Sequence, residues 1–233
     1  MIKTRYLLFS LGLIAFAAVS IGTVSASDLE STGNSRTVTV VDGFGEAVTI
    51  QGIPQRIVSL APSNTEILYT IGLEDRIVGV TDYCDYPPAA VDKERVGGYS
   101  TISVENVLAT DPDLILAAPG NTEDVVNRLR DLGMIVITLN PETIDDVLQD
   151  VNLLGRVTGQ EEQATACARG LQERINGITK EMSNLTEKPS VVHVVWHDPI
   201  WISGNGTFQN EVIAMAGGIN AFGSVNAWGS VSL

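Results

Sequence analysis

The sequence predicts an α/β protein in which a helix-covered parallel sheet is joined to a second lobe by a long helix. Short, almost entirely apolar segments alternate with helical segments between residues 56 and 158, which is typical of parallel sheets buried on both faces. A long amphipathic segment follows, and a new apolar strand begins after Lys188-Pro189. For the long segment, an ordinary covering helix of a single domain remains an alternative.

Four apolar segments predict the strands of the first lobe, which we place at residues 37–158. They are Arg56–Leu60, Ile77–Val80, Leu114–Ala117 and Ile135–Thr138. Helices are predicted between and after these strands at Ser63–Ile71, Ser103–Ala109, Thr122–Asp131 and Ile144–Val157. The first of these helices opens on Ser63-Asn64-Thr65-Glu66, the pattern of a capping box. Ahead of the strands, Thr37–Val41 and Ala47–Ile50 flank a glycine-containing turn and predict a hairpin.

The long helix is predicted over Gln160–Met182, within a connecting segment at residues 159–184. Thr158-Gly159-Gln160-Glu161 is a second capping-box pattern. Apolar residues then recur at alternating spacings of four and three, at Ala164, Ala168, Leu171, Ile175, Ile178 and Met182. At 1.5 Å per residue such a helix would reach ~35 Å, long enough to join two lobes.

The second lobe is predicted to be partial, at residues 189–233. We expect a buried strand at Val191–Val195, a loop at His197–Trp201, and a helix capped by Thr207 that runs to Ala216. One strand and one helix leave strand edges unpaired, so we expect a truncated lobe. Completion by a partner chain is the alternative.

The N-terminus has the layout of a secretory signal peptide over residues 1–26. Lys3 and Arg5 precede an apolar run at Leu7–Ile21, and Val24-Ser25-Ala26 is a small-residue cleavage site. Residues 27–36 are predicted to be a disordered linker. We therefore expect an exported protein, in a periplasm or on the outer face of the cell membrane. A retained membrane anchor is the alternative.

The net charge excludes some classes of ligand, and the number of cysteines excludes a disulfide framework. The 233-residue chain has 28 acidic and 14 basic residues, a net charge of −14, without a Lys/Arg cluster, which argues against nucleic acid and polyanionic ligands. Its two cysteines, Cys84 and Cys167, are too few for a disulfide framework and are interpreted as small apolar fillers. A bond between them is the alternative.

No pattern of catalytic residues or metal ligands accompanies these elements, so we predict no catalytic residue, no metal site and no cofactor. His193 and His197 are four residues apart on a predicted strand and its end, ~13 Å, which is too far for one metal ion. Gly204-Asn205-Gly206-Thr207 lacks the lysine of a phosphate-binding loop. These features favour a binding protein over an enzyme.

Aromatic residues cluster instead in loops that follow strands. The stretch Tyr83-Cys84-Asp85-Tyr86-Pro87-Pro88 is a proline-stiffened loop after the second strand. Loops beyond the carboxyl ends of parallel strands are where open α/β sheets bind ligands. Aromatic residues in such loops indicate a ligand-binding site.

At these residues the chain resembles the class III periplasmic substrate-binding proteins of ABC importers, and within them the cobalamin-binding type. The resemblance covers about residues 37–233 and rests on Arg56–Glu66, Tyr83–Pro88, Val96–Tyr99, Asp111–Ile115 and Thr207–Gly218. It implies two Rossmann-like lobes joined by one rigid helix, with a corrinoid or ferric chelate bound as cargo in the cleft between them.

The resemblance also implies roles for individual residues. It assigns Tyr83, Tyr99, Trp201 and Trp228 to ligand binding and Glu105 to docking on the permease. A second docking carboxylate is expected one residue beyond Leu233. The implied partners are an ABC permease and its ATPase, and the protein is expected to be a monomer.

Three alternatives remain open at this point. The ligand could be a ferric siderophore or haem, although many ferric siderophore complexes are anionic and the predicted cleft loops have almost no Lys or Arg. From another functional class, an enzyme or a sensor could be built on the same lobes. An enzyme of this kind would need clustered Cys or His ligands.

Overall fold

The computed structural model describes residues 36–232 of the chain. The predicted signal peptide and all of the predicted linker except Arg36 lie outside this range. Arg36 contacts the Glu161 carboxylate and the Arg156 carbonyl, and its own carbonyl accepts a 2.7 Å hydrogen bond from the Gly52 amide. No helix among residues 36–232 is both long enough and apolar enough to cross a membrane.

A four-stranded parallel sheet forms the centre of the first lobe, as predicted. Its strands are β3 (Ile57–Ser59), β4 (Ile77–Val80), β5 (Leu114–Ala117) and β6 (Val136–Thr138), in the order β4-β3-β5-β6. Successive residues contribute to two separate hydrophobic clusters: Ile57 belongs to one and Val58 to the other. Both faces of the sheet are therefore buried.

The helices of this lobe are α1 (Pro62–Thr70), α2 (Val104–Ala109), α3 (Glu123–Asp131) and α4 (Ile144–Thr158). Ser103 caps α2 by accepting a hydrogen bond from the Asn106 amide, as predicted. The predicted hairpin is also present, as β1 (Thr37–Val41) paired with β2 (Ala47–Gln51). Buried Asp42 fixes the hairpin turn by accepting hydrogen bonds from the Phe44 and Glu46 amides, and it ties the turn to α3 through a 2.8 Å ion pair with Arg130.

Two predicted capping boxes are wrong. Helix α1 begins one residue before Ser63, at Pro62, because the fixed φ of proline suits the first helical position, and Ala61 is its N-cap. The second box fails because Thr158 is still helical and its hydroxyl donates to the Leu154 carbonyl. Gly159, with φ of 74°, then ends α4 in the left-handed region.

The long helix is present as α5 (Glu161–Met182). Its first half packs against α4 and the core of the first lobe, where Ala164 and Ala168 are buried. Its second half contacts the helix α6 (Phe208–Met215), and Ile175 and Ile178 line an apolar groove together with Val212 of α6. The two ends of α5 thus pack against different parts of the protein, as the two-lobed fold requires.

The remaining residues contain more strands than predicted. They are β7 (Ser190–Val191), β8 (Val194–His197), β9 (Ile200–Ser203), β10 (Ile219–Asn220) and β11 (Trp228–Val231). The β10 strand pairs with β7 in parallel, and β11, β9 and β8 form an antiparallel sheet in that order. The predicted helix capped by Thr207 is confirmed as α6, with the Thr207 hydroxyl accepting from the Asn210 amide.

Two predictions for this region are corrected. The single buried strand at Val191–Val195 is split into β7 and β8, and β8 is an edge strand that pairs with β9 alone among the described residues. The valines of β8 are half exposed, because the described residues only partly cover the faces of this strand. The loop at His197–Trp201 is a tight hairpin turn, so Trp201 lies within β9.

Candidate functional site

The carboxyl ends of the parallel strands open onto a cavity of about 400 Å³. It is lined by Ala61 and Pro62, which follow β3, by Tyr83, which follows β4, and by Tyr99 and Ser100 of a later loop. This is the edge of an open α/β sheet at which ligands bind. The structure therefore brings together Tyr83 and Tyr99, two of the predicted ligand-binding residues.

A second cavity, of about 660 Å³, lies between the two lobes. The first lobe contributes Ser63 and the segment Asn140–Glu142, and the second contributes Gly206–Gln209 and Trp228. Pro62 lines the first cavity and Ser63 the second, so the first turn of α1 borders both cavities. Together they form the cleft, and each volume falls within the range of about 300 to 1,000 Å³ that is usual for small-molecule sites.

The other predicted site residues lie elsewhere or at the margin of this cleft. Trp228 lines the larger cavity, whereas Trp201 lies on β9 opposite Ser230, is 42% exposed and lines neither cavity. Glu105 lies in the first turn of α2, outside both linings; its side chain is 77% exposed and 3.8 Å from the guanidinium of Arg128.

The two histidines, His193 and His197, contact different neighbours. His193 lies 3.2 Å from the Ser203 hydroxyl and has its ring edge-on to Trp228, while His197 lies against Trp196. Among residues 36–232 there is no group of three or more His, Cys, Asp or Glu side chains that could hold a metal ion.

The described lining of the cleft is nearly free of charge. Glu142 is its one ionisable acid, and neither cavity has a Lys or Arg among the described residues that line it. The nearby Arg95 is occupied with the backbone instead. It donates to the carbonyls of Thr81, Cys84 and Val91 at 2.6 to 3.1 Å, and so holds the loop that presents Tyr83.

The cysteines do not bond to each other. Cys84 is a buried free thiol beside the hydroxyls of Thr65 and Thr81, at 3.2 and 3.1 Å, and Cys167 is a half-buried free thiol on α5. Burial raises the pKa of the Cys167 thiol, which lowers its reactivity. Both therefore act as small fillers, as the sequence predicted.

Sequence reasoning missed several lining residues, notably Ser63, Asn140 and Phe208. Asn140 could have been found, because it follows the end of β6 and the strand-end rule that selected Tyr83 applies to it equally. Phe208 gave no such signal, since an apolar residue after an N-cap is ordinarily a core residue.

The chain is similar in sequence to known proteins. A family profile described as periplasmic binding protein matches residues 57–232. An uncharacterised ABC transporter substrate-binding lipoprotein of Bacillus subtilis is 33% identical over 198 residues, which is 82% of this chain and 63% of that protein. A vitamin B12-binding protein of Vibrio cholerae is 32% identical over 169 residues, 72% of this chain and 61% of that protein.

A solved structure gives the same picture for the fold. The crystal structure of a periplasmic vitamin B12-binding protein of Vibrio cholerae has a TM-score of 0.69 and 31% identity, and the match covers 77% of this chain and 71% of that one. In the two sequence relatives, the matched region spans less than two thirds of their length.

Proposed function

Since the chain belongs to the periplasmic binding protein family, we propose that it captures cobalamin or another corrinoid outside the cell membrane and delivers it to an ABC import permease. The protein performs no chemistry on the ligand, which it holds as cargo. The observation that supports this most directly is the cavity lined by Tyr83 and Tyr99 at the strand ends, together with the absence of Lys and Arg from the described lining.

The scarcity of charge in the described cleft lining supports a corrinoid over the main alternative, a ferric siderophore or haem. Many ferric siderophore complexes are anionic and would be favoured by Lys or Arg in the cleft, because charge-assisted hydrogen bonds to an anion are stronger than neutral ones. A corrinoid presents a broad apolar face and a fringe of neutral amides. Tyrosine rings and hydroxyls, with the side chains of Ser63 and Asn140, match that combination.

Calorimetric titration tests the ligand assignment. We expect the 233-residue protein to release or absorb heat with cyanocobalamin and to give none with haemin or a ferric hydroxamate chelate. Saturable binding of either iron compound without a signal for cyanocobalamin would overturn the assignment.

Two tyrosines of the same loop provide a matched pair. Tyr83 and Tyr86 are both 64% exposed, but only Tyr83 belongs to the described lining of the cavity. We expect Tyr83→Ala to weaken cyanocobalamin binding by roughly tenfold, the equivalent of about 1.4 kcal/mol, and Tyr86→Ala to leave it unchanged. Equal losses in the two variants would argue against this cavity as the site.

Glu105 is proposed as a contact with the permease. Its side chain is exposed at the start of α2 and makes no hydrogen bond or ion pair in the described structure other than a long ion pair with Arg128, so it is available to a cation on a partner. In vesicles containing the permease and ATPase, Glu105→Gln should reduce transport while ligand affinity stays at the wild-type value. Glu162→Gln, at an exposed acid on α5, is the control.

A further inference from the structure

Tyr99 lies directly on the backbone of the loop that follows β5. A Cβ atom built on Gly120 would be 1.8 Å from Cε1 of the Tyr99 ring and 2.3 Å from its Cζ. No side chain larger than hydrogen is therefore compatible with the observed ring position. Gly120 does not have a positive φ, so its backbone would accept alanine, and the tyrosine ring is the obstacle.

The hydroxyl of Tyr99 is held by the same residue. The Gly120 amide donates a hydrogen bond of 3.2 Å to this hydroxyl. A phenolic hydroxyl that accepts a hydrogen bond keeps its own proton for donation. Tyr99 thus retains a donor that a carbonyl of a ligand amide could use.

The backbone of Tyr99 is fixed by the next residue, Asn121. The buried Asn121 side chain donates to the Tyr99 carbonyl at 2.8 Å and to the Leu60 carbonyl at 2.9 Å. Its own side-chain oxygen accepts from the Ala118 amide at 2.8 Å. One side chain therefore links the end of β3, the loop after β5 and the loop that presents Tyr99.

We propose that Gly120 and Asn121 are positioning residues that form a seat for Tyr99 and thereby set the shape of the cavity for a flat ligand. The proposal rests on the proposed function, because Tyr99 is assumed to contact the ligand. A ring fixed before binding loses little conformational freedom when the ligand arrives, which favours affinity. Because Tyr99 lines the cavity with Tyr83, a displaced ring would change the shape of that cavity.

The seat can be tested without any ligand. In protein labelled with 3-fluorotyrosine, the ¹⁹F resonance of Tyr99 is assigned by its loss in Tyr99→Phe. We expect Gly120→Ala to shift or broaden this resonance and to leave that of Tyr69 unchanged. Gly170→Ala, at a position on α5 with no neighbour within 4 Å of the added methyl group, is the control and should shift neither. An unchanged Tyr99 resonance in folded Gly120→Ala would overturn the proposal that Gly120 fixes the position of the Tyr99 ring.

Measurements of cyanocobalamin binding then test whether the support of Tyr99 by Gly120 affects ligand affinity. Gly120→Ala should weaken cyanocobalamin binding by roughly tenfold. In a Tyr99→Ala background the same substitution should have no further effect, because the two residues act through one contact. An equal loss in both backgrounds would show that Gly120 acts independently of Tyr99. If the wild-type protein does not bind cyanocobalamin, the corrinoid assignment fails, and the ¹⁹F result still decides whether the seat exists.

Discussion

At the scale of single residues, Asp150 on α4 is a partly buried carboxylate that makes stability depend on pH. Burial, followed by repulsion from Asp146 one turn earlier, raises the pKa of Asp150 to about 6 from an ordinary value of 3.8. The folded state therefore binds a proton between about pH 4 and 6 that the unfolded state does not. Stability contributed by this group is present below pH 4 and is lost as the pH rises through 6.

Replacing Asp150 with asparagine should remove this loss. After allowance for solvent screening we expect Asp150→Asn to raise the free energy of unfolding at pH 7.5 by about 1 to 2 kcal/mol, with little change at about pH 3.5, below the ordinary pKa of the group. Urea denaturation at the two pH values measures this.

Residues also show where sequence patterns are sufficient and where they are not. Ser103 and Thr207 were predicted as caps and act as caps, because each precedes an apolar helix without a competing start signal. Ser63 was predicted as a cap and is not one, because Pro62 starts the helix before it. A local pattern predicts a structure only when no stronger neighbour fixes the backbone.

At the scale of elements, the crossing of α4 and α5 depends on a close contact. A Cβ atom on Gly155 of α4 would lie 2.4 Å from the Cβ of Ala164 on α5. Gly155→Ala would gain about 1 kcal/mol of helix propensity, but overpacking at this crossing should outweigh it. We expect a net loss of about 1 to 2 kcal/mol.

The control for this prediction lies on α5 itself. Gly170 and Gly177 have open space around the position of a Cβ atom, so alanine at either should stabilise the protein by about 0.5 to 1 kcal/mol. Thermal unfolding of the three variants should therefore give shifts of opposite sign. A stabilising Gly155→Ala would mean that the two helices can separate without loss.

The central strands were predictable because burial on both faces leaves a continuous apolar segment that few other structures explain. The strands of the second lobe were not, since β8 and β9 are joined by a tight turn at Asp198-Pro199 that the sequence alone presents as a loop. In the cleft, Tyr83 and Tyr99 were predicted together, whereas the Gly120 and Asn121 support of Tyr99 depends on three-dimensional proximity. No local pattern indicates that contact.

At the scale of the whole molecule, a hydrogen bond links the two lobes. The Glu211 carboxylate of α6 accepts from the Ile144 amide, at the first position of α4, at 2.8 Å. A negative charge at a helix N-terminus is favourable. The contact lies beside the apolar groove in which α5 meets α6, so the three helices meet there.

The effect of this contact can be read from two optical signals. All three tryptophans, Trp196, Trp201 and Trp228, lie in the second lobe, while far-UV circular dichroism reports the helices of both. For Glu211→Ala we expect tryptophan fluorescence to change at a lower urea concentration than circular dichroism, because the second lobe loses a tie to α4. Glu211→Gln keeps an acceptor and should lose only about 0.3 to 1 kcal/mol of stability. Coincident transitions in Glu211→Ala would argue against this role.

Under the proposed function, the scarcity of charge in the described cleft lining means that ligand binding and delivery to the permease should respond differently to ionic strength. Salt screens the attraction between exposed opposite charges and has little effect on contacts between aromatic rings and a neutral ligand. Ligand affinity should therefore be nearly the same at low and high salt concentration, whereas delivery that depends on Glu105 should slow as the salt concentration rises.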